Sequence, residues 1–131
     1  MKRTLILLLF SYAAWGQTAE DYYNKGFKKA IKYPKEAIEY FNKAIELNPS
    51  YAEAYFWRGS AKYALNDISG QTEDLNKAIE INPKYADAYY FKGLIKIELR
   101  NDTIAACPDF QKAAELGHKD AKKELRRCKC K

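Results

Sequence analysis

The chain has 131 residues, 31% of them charged, and a formal net charge of +6. That length predicts one domain rather than several. The charges are interspersed until the tail, His118 to Lys131, where basic residues are concentrated. Basic residues in that tail also complement the dipole of a C-terminal helix, so they do not by themselves indicate a polyanion site.

The N-terminus has the layout of a secretory signal peptide. A basic start is followed by an apolar run from Thr4 to Phe10 and by the small residues Ala14 and Gly16. This order predicts that residues 1–16 are removed by cleavage before Gln17. A membrane anchor is the alternative, but the apolar run is shorter than the roughly 20 residues that a spanning helix needs. We therefore expect an exported bacterial protein, periplasmic or extracellular, with no integral membrane span after cleavage.

Two stretches of the chain are closely similar: Ala44 to Leu65 and Ala78 to Leu99, which begin 34 residues apart. A period of this size predicts stacked supersecondary units rather than one closed core. A weaker copy begins near Ala19. Apolar residues recur at three- and four-residue steps in each unit, which predicts helices. Asn-Pro pairs at 48–49 and 82–83 end the second helices, because proline has no N–H to continue them.

The spacing of glycine, alanine, aromatic and proline residues resembles the tetratricopeptide repeat family over nearly all of residues 19–131. The residues that carry the resemblance in the middle unit are Tyr55, Gly59, Leu75, Ala78 and Pro83. Their counterparts are Tyr22, Gly26, Ala37, Phe41, Ala44 and Pro49 in the first unit, and Tyr89, Gly93, Phe110 and Ala113 in the third. The resemblance implies an all-α fold, an α-α superhelix (solenoid) of about three helix hairpins plus a C-terminal capping helix. Domain 17–131 would then hold repeats at about 19–51, 52–85 and 86–118 and a cap at 119–131.

One departure from the family pattern lies in the middle unit. Gln71 stands where the other units have alanine, at Ala37 and Ala106. A longer side chain at a close helix crossing predicts a looser hairpin there.

The last unit departs from the pattern at Pro108. A proline is tolerated in the first turn of a helix, whose N–H groups have no intrahelical partner. The second helix of this unit is therefore expected to begin no earlier than about Ala105. Gly117 is expected to end it, and residues 119–128 to form the polar capping helix that repeat stacks need.

All three cysteines lie in the last unit: Cys107, Cys128 and Cys130. An exported protein permits disulfides, and antiparallel helices about Gly117 would bring Cys107 and Cys128 to similar heights. We therefore expect a Cys107–Cys128 disulfide that pins the cap, with Cys130 as the alternative partner and a free, buried Cys107 as the other alternative. The three cysteines and His118 could supply four metal ligands, but the one-residue gap between Cys128 and Cys130 is unlike zinc spacing. No metal site is expected, and His118 is expected to be solvated in a turn.

The sequence offers little support for catalysis. It has one histidine, no glycine-rich phosphate loop and no nucleophile motif. We expect a protein that is not an enzyme and has no cofactor.

In the family, the first helix of each hairpin lines a concave groove. The resemblance thus implies a peptide-binding groove at the residues that follow the packing tyrosines and at those one turn later. They are Tyr23, Asn24, Phe56, Trp57, Ser60, Tyr63, Tyr90, Phe91 and Leu94. Aromatic residues suit peptide contact, although the same stripe also fits packing between repeats. For Phe56 and Tyr90 both interpretations stay open, whereas Asn24 and Trp57 are expected to be more exposed.

Charged residues recur along the same first helices. Some tetratricopeptide domains hold a C-terminal carboxylate with Lys and Asn pairs, but this sequence places Glu20, Glu53 and Asp87 near the start of each groove helix. A basic residue directly precedes the packing glycine of each unit, and basic residues recur one turn later in the second and third units. We call these five residues the basic row: Lys25, Arg58 and Lys92, then Lys62 and Lys96. We expect this row to pair with acidic residues of the second helices, and binding of an acidic ligand is the weaker alternative.

The resemblance implies a non-enzymatic interaction module that binds a peptide or a partner protein, and no nucleic acid. A structural role in an envelope assembly, through self-association at the repeat ends, is the alternative. Polyanion binding through the basic tail is a weaker one.

Overall fold

The computed structural model describes residues 16–130, so all but the last residue of the predicted signal peptide, 1–16, lies outside the described residues. Within residues 16–130 the chain forms seven helices and no strand. They are α1 Ala19–Lys29, α2 Pro34–Leu47, α3 Ala52–Ala64, α4 Ile68–Ile81, α5 Ala86–Arg100, α6 Thr103–Glu115 and α7 Ala121–Arg127. Each helix packs mainly on the helix before it and the helix after it. The predicted all-α solenoid of three hairpins and a C-terminal helix is confirmed.

Glycines allow the two helices of the first and third hairpins to cross closely. A Cβ on Gly26 would lie 2.8 Å from a ring carbon of Phe41, and one on Gly93 would lie 2.6 Å from a ring carbon of Phe110. Both rings are 0% exposed. The rings thus occupy the space that a side chain at either glycine would need.

The middle hairpin has Leu75 in place of those rings, and its helices still cross closely. A Cβ on Gly59 would lie 3.3 Å from the backbone oxygen of Gln71. The expectation of a looser hairpin is therefore wrong. The Gln71 side chain is accommodated as a buried group, 4% exposed, at the edge of the crossing.

The turns inside the second and third hairpins are built alike. Asn66 and Asn101 adopt left-handed backbone conformations, with φ of 62° and 48°. Asparagine is one of the few residues with a side chain that tolerates this region. Asp67 then accepts a hydrogen bond from the Gly70 N–H, which satisfies one of the free donors at the start of α4.

The start of α6 differs from expectation. The helix begins at Thr103 and contains Pro108 as its sixth residue. Asp102 accepts a hydrogen bond of 2.9 Å from the Ala105 N–H and fixes this early start. The bond that Pro108 cannot donate would go to the carbonyl of Ile104, and both residues are exposed. The missing hydrogen bond therefore lies on the solvent-exposed side of the helix, where water can bind the free carbonyl.

The cap is shorter than the predicted 119–128. Gly117, with φ of +92°, follows the end of α6 as predicted, and α7 covers Ala121–Arg127. No helix among residues 16–130 combines the length and apolar character needed to cross a membrane.

The disulfide joins Cys107 to Cys130, so the predicted Cys107–Cys128 pairing is wrong. The reason lies in the turn after α7. Lys129 adopts a left-handed conformation, and the Cys130 N–H donates to the Leu125 carbonyl at 3.0 Å. This turn bends the chain back toward α6 and leaves Cys128 as a free, half-buried thiol.

Candidate functional site

Six aromatic rings run along the first helices of the three hairpins, each ring in contact with the next. We call this set the aromatic stripe: Tyr23, Phe27, Trp57, Phe56, Phe91 and Tyr90. Two contacts join different hairpins, with ring centroids 4.7 Å apart for Phe27 and Trp57 and 5.6 Å apart for Phe56 and Phe91. Both pairs meet edge to face, the arrangement that aromatic rings favour. The stripe therefore links α1, α3 and α5 without interruption.

The stripe has an exposed part and a buried part. Phe27 is 47% exposed and Phe91 is 36% exposed, while Trp57 is half-buried between them. Phe56 is only 5% exposed, because it lies among Trp57, Phe91 and the ring of Tyr85. Phe56 is therefore a packing residue between repeats and not a groove residue. The expectation that Trp57 is more exposed holds relative to Phe56.

Tyr90 is also a packing residue. Its ring stacks on His118, with centroids 4.0 Å apart and planes 15° apart, and it contacts the ring of Phe110 on its own hairpin. Burial raises the pKa of the Tyr90 phenol. The expectation of a solvated His118 is wrong, since its side chain is 13% exposed and its Nε2 lies 3.6 Å from a carboxylate oxygen of Asp87.

The other predicted groove residues share the first-helix face. Asn24 is exposed, as expected, whereas Ser60 and Leu94 are half-buried. Tyr23 is half-buried, with its ring centroid 5.0 Å from that of Tyr51, and burial raises the pKa of its phenol. Tyr63 is 43% exposed.

Tyr63 bridges the middle and third hairpins. Its hydroxyl donates to the carboxylate of Glu98 at 3.2 Å, which raises the pKa of the Tyr63 phenol. Below this bridge lies a hollow of about 280 Å³, whose lining includes Phe91, Leu94 and Gln71. The face thus offers exposed rings at its first-hairpin end and a concave, apolar site between α3 and α5.

Sequence reasoning missed two members of this face. Phe27 follows Gly26 as Ser60 follows Gly59 and Leu94 follows Gly93, so its position was readable from the repeat. Gln71 was singled out as a packing defect, and its place beside the groove hollow follows only from how α4 lies against α5.

Three of the five residues of the basic row, Arg58, Lys62 and Lys96, pair with acidic residues of the second helices, as expected. Arg58 and Lys62 both contact Asp74, with nitrogen–oxygen distances of 2.6 Å and 2.9 Å. Lys96 lies 2.5 Å from Asp109 in the third hairpin. These charges connect first helices to second helices and are not arranged to receive an anionic ligand.

Residues 16–130 contain no group of three or more His, Cys, Asp or Glu side chains placed to hold an ion. Cys107 and Cys130 are bonded to each other, and His118 is occupied with Tyr90.

Family models match the central part of the chain. A TPR repeat model matches residues 35–66, and a tetratricopeptide repeat model matches residues 52–85. An uncharacterized protein of Methanocaldococcus jannaschii is 59% identical over 39 residues, which are 29% of this chain and 45% of that protein. The chain thus matches less than half the length of this relative.

Solved structures resemble the chain over most of its length. The first TPR of Spaghetti (RPAP3), bound to the HSP90 peptide SRMEEVD, is 27% identical with a TM-score of 0.78, over 86% of this chain and 94% of that one. A crystal structure of MamA is 25% identical with a TM-score of 0.70, over 84% of this chain and 75% of that one. A second MamA structure is 25% identical with a TM-score of 0.69, over 84% and 70% of the two chains. Together with the family models, these structures support the tetratricopeptide repeat family.

Proposed function

We propose that this tetratricopeptide repeat chain binds a peptide segment of a partner protein along the first-helix face of α1, α3 and α5. Tetratricopeptide repeats are typically non-enzymatic interaction modules, and one structural neighbour holds a peptide. The observation that carries the proposal is the exposure of Phe27, Tyr63 and Phe91 on that one face. Exposed aromatic groups on a rigid scaffold supply binding area at little cost in conformational entropy.

The chemistry of the face favours a partner segment that is mainly apolar. The cations Arg58, Lys62 and Lys96 are paired with Asp74 or Asp109, so they give an acidic peptide little to bind. The carboxylates of Glu53 and Asp87 are exposed near the starts of α3 and α5. They would repel such a peptide.

A capture experiment tests the proposal. Residues 17–131 are immobilised, and bound proteins from envelope extract are compared for the wild type, Trp57→Ala and Phe27→Ser. Both variants should lose the captured partner by tenfold or more while keeping the helical circular-dichroism spectrum. Lys77→Ala is the matched control, since Lys77 pairs with Glu80 within α4 and should retain the partner. Capture by both stripe variants at the wild-type level would refute groove binding.

A second test uses a defined ligand. The labelled peptide SRMEEVD, which the neighbour binds, should show no saturable binding to this chain by fluorescence polarisation. Tight binding would mean that the face recognises acidic peptides, and that its exposed aromatic residues do not determine which peptides it binds.

We also propose that the protein acts outside the cytoplasm, because the N-terminal pattern is that of a signal peptide and a disulfide closes the last unit. Mass spectrometry of the protein from fractionated cells tests this. An N-terminus at Gln17 in the envelope or medium supports it, and intact residues 1–16 in the cytosol contradict it.

A further inference from the structure

We infer that the edge of the solenoid formed by the three hairpin turns lies against the surface of an anionic lipid membrane. The inference goes beyond the proposed function, because this edge is separate from the residues of the peptide groove. Apolar side chains at the turns enter the headgroup layer of the membrane, and the basic side chains around them contact lipid phosphates.

The turns inside the three hairpins lie side by side. The first and second turns are adjacent, because Leu65 borders the same hollow as Tyr33 and Pro34. The second and third turns are adjacent, because the Tyr63 hydroxyl near the end of α3 donates to the Glu98 carboxylate near the end of α5. We call this surface the turn edge, and it comprises residues 28–35, 64–67 and 99–104.

Every turn on this edge exposes large apolar side chains. Ile31 in the first turn is 97% exposed, and Ile104 in the third is 79% exposed. Tyr33, Leu65 and Leu99 are exposed as well. Apolar area left in water costs free energy, so its concentration on one edge indicates a surface that a partner covers.

The opposite edge, formed by the loops between hairpins, has a different character. These loops cover residues 48–51, 82–85 and 116–120, and none of their residues is a large exposed apolar side chain. Leu47, the last residue of α2, is exposed beside the first of these loops. The apolar row is therefore a property of the turn edge and not of the loops in general.

Basic side chains surround the apolar row at the first turn. Lys28, Lys32 and Lys35 are exposed, and none of them forms an ion pair with a residue that the structure describes. Lys29 pairs with Glu36 at 2.9 Å. The first turn therefore carries a local excess of positive charge, which an anionic surface attracts.

The disulfide brings the basic tail to the other end of the turn edge. Cys107 lies one turn after the start of α6 at Thr103, so its bond to Cys130 holds the C-terminal turn beside the third hairpin turn. Arg126 and Lys129 next to this bond are exposed and have no ion pair among residues 16–130. The tail thus adds positive charge on the side of the molecule where the apolar row lies.

The acidic residues of the turn edge are engaged within the fold. Asp67 and Asp102 accept hydrogen bonds from backbone N–H groups at the starts of α4 and α6. Glu98, beside the edge, accepts from the Tyr63 hydroxyl. The side chains that remain available to bind an ion on this edge are therefore the basic ones.

A lipid surface fits separate protruding side chains better than a folded protein does. A stable protein interface needs complementary shapes over roughly 800 Å² on each partner, whereas each protruding side chain enters a fluid headgroup layer independently. An acidic peptide would neutralise the lysines and leave Ile31 and Ile104 in water. The Tyr33 ring, with the Nζ atoms of Lys29 and Lys32 at 4.7 Å and 5.4 Å from its centroid, has the amphipathic character of side chains at membrane interfaces.

Vesicle flotation tests the inference with residues 17–131. The vesicles contain phosphatidylcholine alone, or phosphatidylcholine and phosphatidylglycerol in equal parts. Two double variants change the turn edge, namely Ile31→Ser with Ile104→Ser, and Lys32→Gln with Lys35→Gln. Their matched controls change exposed residues at the opposite edge, namely Leu47→Ser and Lys84→Gln.

The wild type should bind the phosphatidylglycerol vesicles about tenfold more strongly than phosphatidylcholine alone, and added salt should weaken this binding by screening. Each double variant should weaken it by about tenfold and keep the helical circular-dichroism spectrum, because the substituted side chains are exposed. Both controls should bind as the wild type does. A spin-labelled lipid should broaden amide signals of ¹⁵N-labelled protein at the turn edge and leave those of residues 48–51 and 82–85 unchanged.

No binding to the phosphatidylglycerol vesicles, equal binding to both kinds of vesicle, or an equal loss in the controls would overturn the inference. Weakening by the lysine variant alone would indicate a site for soluble polyanions and would overturn it as well. The proposed function would stand in each case, since partner capture that depends on Trp57 and Phe27 is measured without vesicles.

Discussion

Arg58 binds Asp74 through two parallel hydrogen bonds, from Nε to Oδ2 at 2.9 Å and from Nη2 to Oδ1 at 2.6 Å. Asp74 is 3% exposed, and Lys62 also reaches its Oδ2 at 2.9 Å. Arg58 lies on α3 and Asp74 on α4, so this pair joins the two helices of the middle hairpin. Gly59, next to Arg58, allows the approach, since a Cβ there would lie 3.1 Å from Asp74 Cβ.

Asp74→Ala should lower the free energy of unfolding by about 3 kcal/mol. Removing one member of a buried charge pair leaves the other member uncompensated. Here Arg58 and Lys62 both lose the carboxylate that balances their charge, and Arg58 keeps only its hydrogen bond to the neutral Asn42. Urea unfolding measures the change. Lys77→Ala removes an exposed pair with Glu80 and should be nearly neutral. Equal changes in the free energy of unfolding for the two substitutions would show that the buried pair stabilises the fold no more than the exposed pair does.

Gly93→Ala should destabilise the third hairpin by about 1–3 kcal/mol, because the new Cβ would lie 2.6 Å from the Phe110 ring. This net loss assumes that overpacking against a fully buried ring outweighs the gain of up to about 1 kcal/mol in helix propensity when alanine replaces glycine. Thermal unfolding measures it. Adding Phe110→Leu to Gly93→Ala should restore part of the stability by removing the ring. If the double variant is simply the sum of the two single variants, steric conflict with Phe110 is not the cause.

Cys130→Ala should lower the stability of the oxidised protein by about 3 kcal/mol, as expected for opening a loop of 23 residues. Cys128→Ala should leave it unchanged, since Cys128 is the free thiol. Denaturation with and without a reductant measures both. Peptide mapping of the unreduced protein should recover a Cys107–Cys130 crosslink. A Cys107–Cys128 crosslink would mean that the sequence-based pairing is the correct one.

Stability should fall at alkaline pH because of Tyr85. Burial, assisted by the negative charge of Glu53, raises the pKa of the Tyr85 phenol well above its ordinary value of 10.0. Below that ordinary value both folded and unfolded chains keep the proton, so the contribution is complete. Above it the unfolded chain loses the proton while the folded chain retains it, so the free energy of unfolding decreases with rising pH.

The measurement is urea unfolding at several values between about pH 9 and about pH 11. Tyr85→Phe should flatten the decrease, since phenylalanine has no proton to lose. A decrease of the same slope in Tyr85→Phe would assign the effect to other groups.

The helices and their pairing could be predicted from the sequence because they depend on local signals repeated three times. Gly26 and Gly93 mark close helix crossings, and Pro83 marks the end of a helix. The structure has both features at these residues, as expected. Hairpin stacking follows directly, because each unit has one apolar side that must be covered.

How far each individual ring is buried could not be predicted in the same way. Phe56 and Phe91 both lie on first helices, and the repeat does not show which one is covered by Tyr85 and which one faces solvent. That distinction depends on contacts between hairpins. The disulfide likewise depends on one left-handed residue, Lys129, which no residue pattern marks.

The two ends of the stack are held unequally. The last hairpin is closed by α7 and by a covalent link, whereas among residues 16–130 the first hairpin packs mainly on one neighbouring element, α3. Spontaneous opening should therefore begin at α1 and progress toward the C-terminus, giving amide exchange rates that fall along the chain. Phe27 lies on this least-protected helix, so the proposed binding face would adjust its shape more readily at α1 than at the third hairpin, which the disulfide ties to the C-terminal turn.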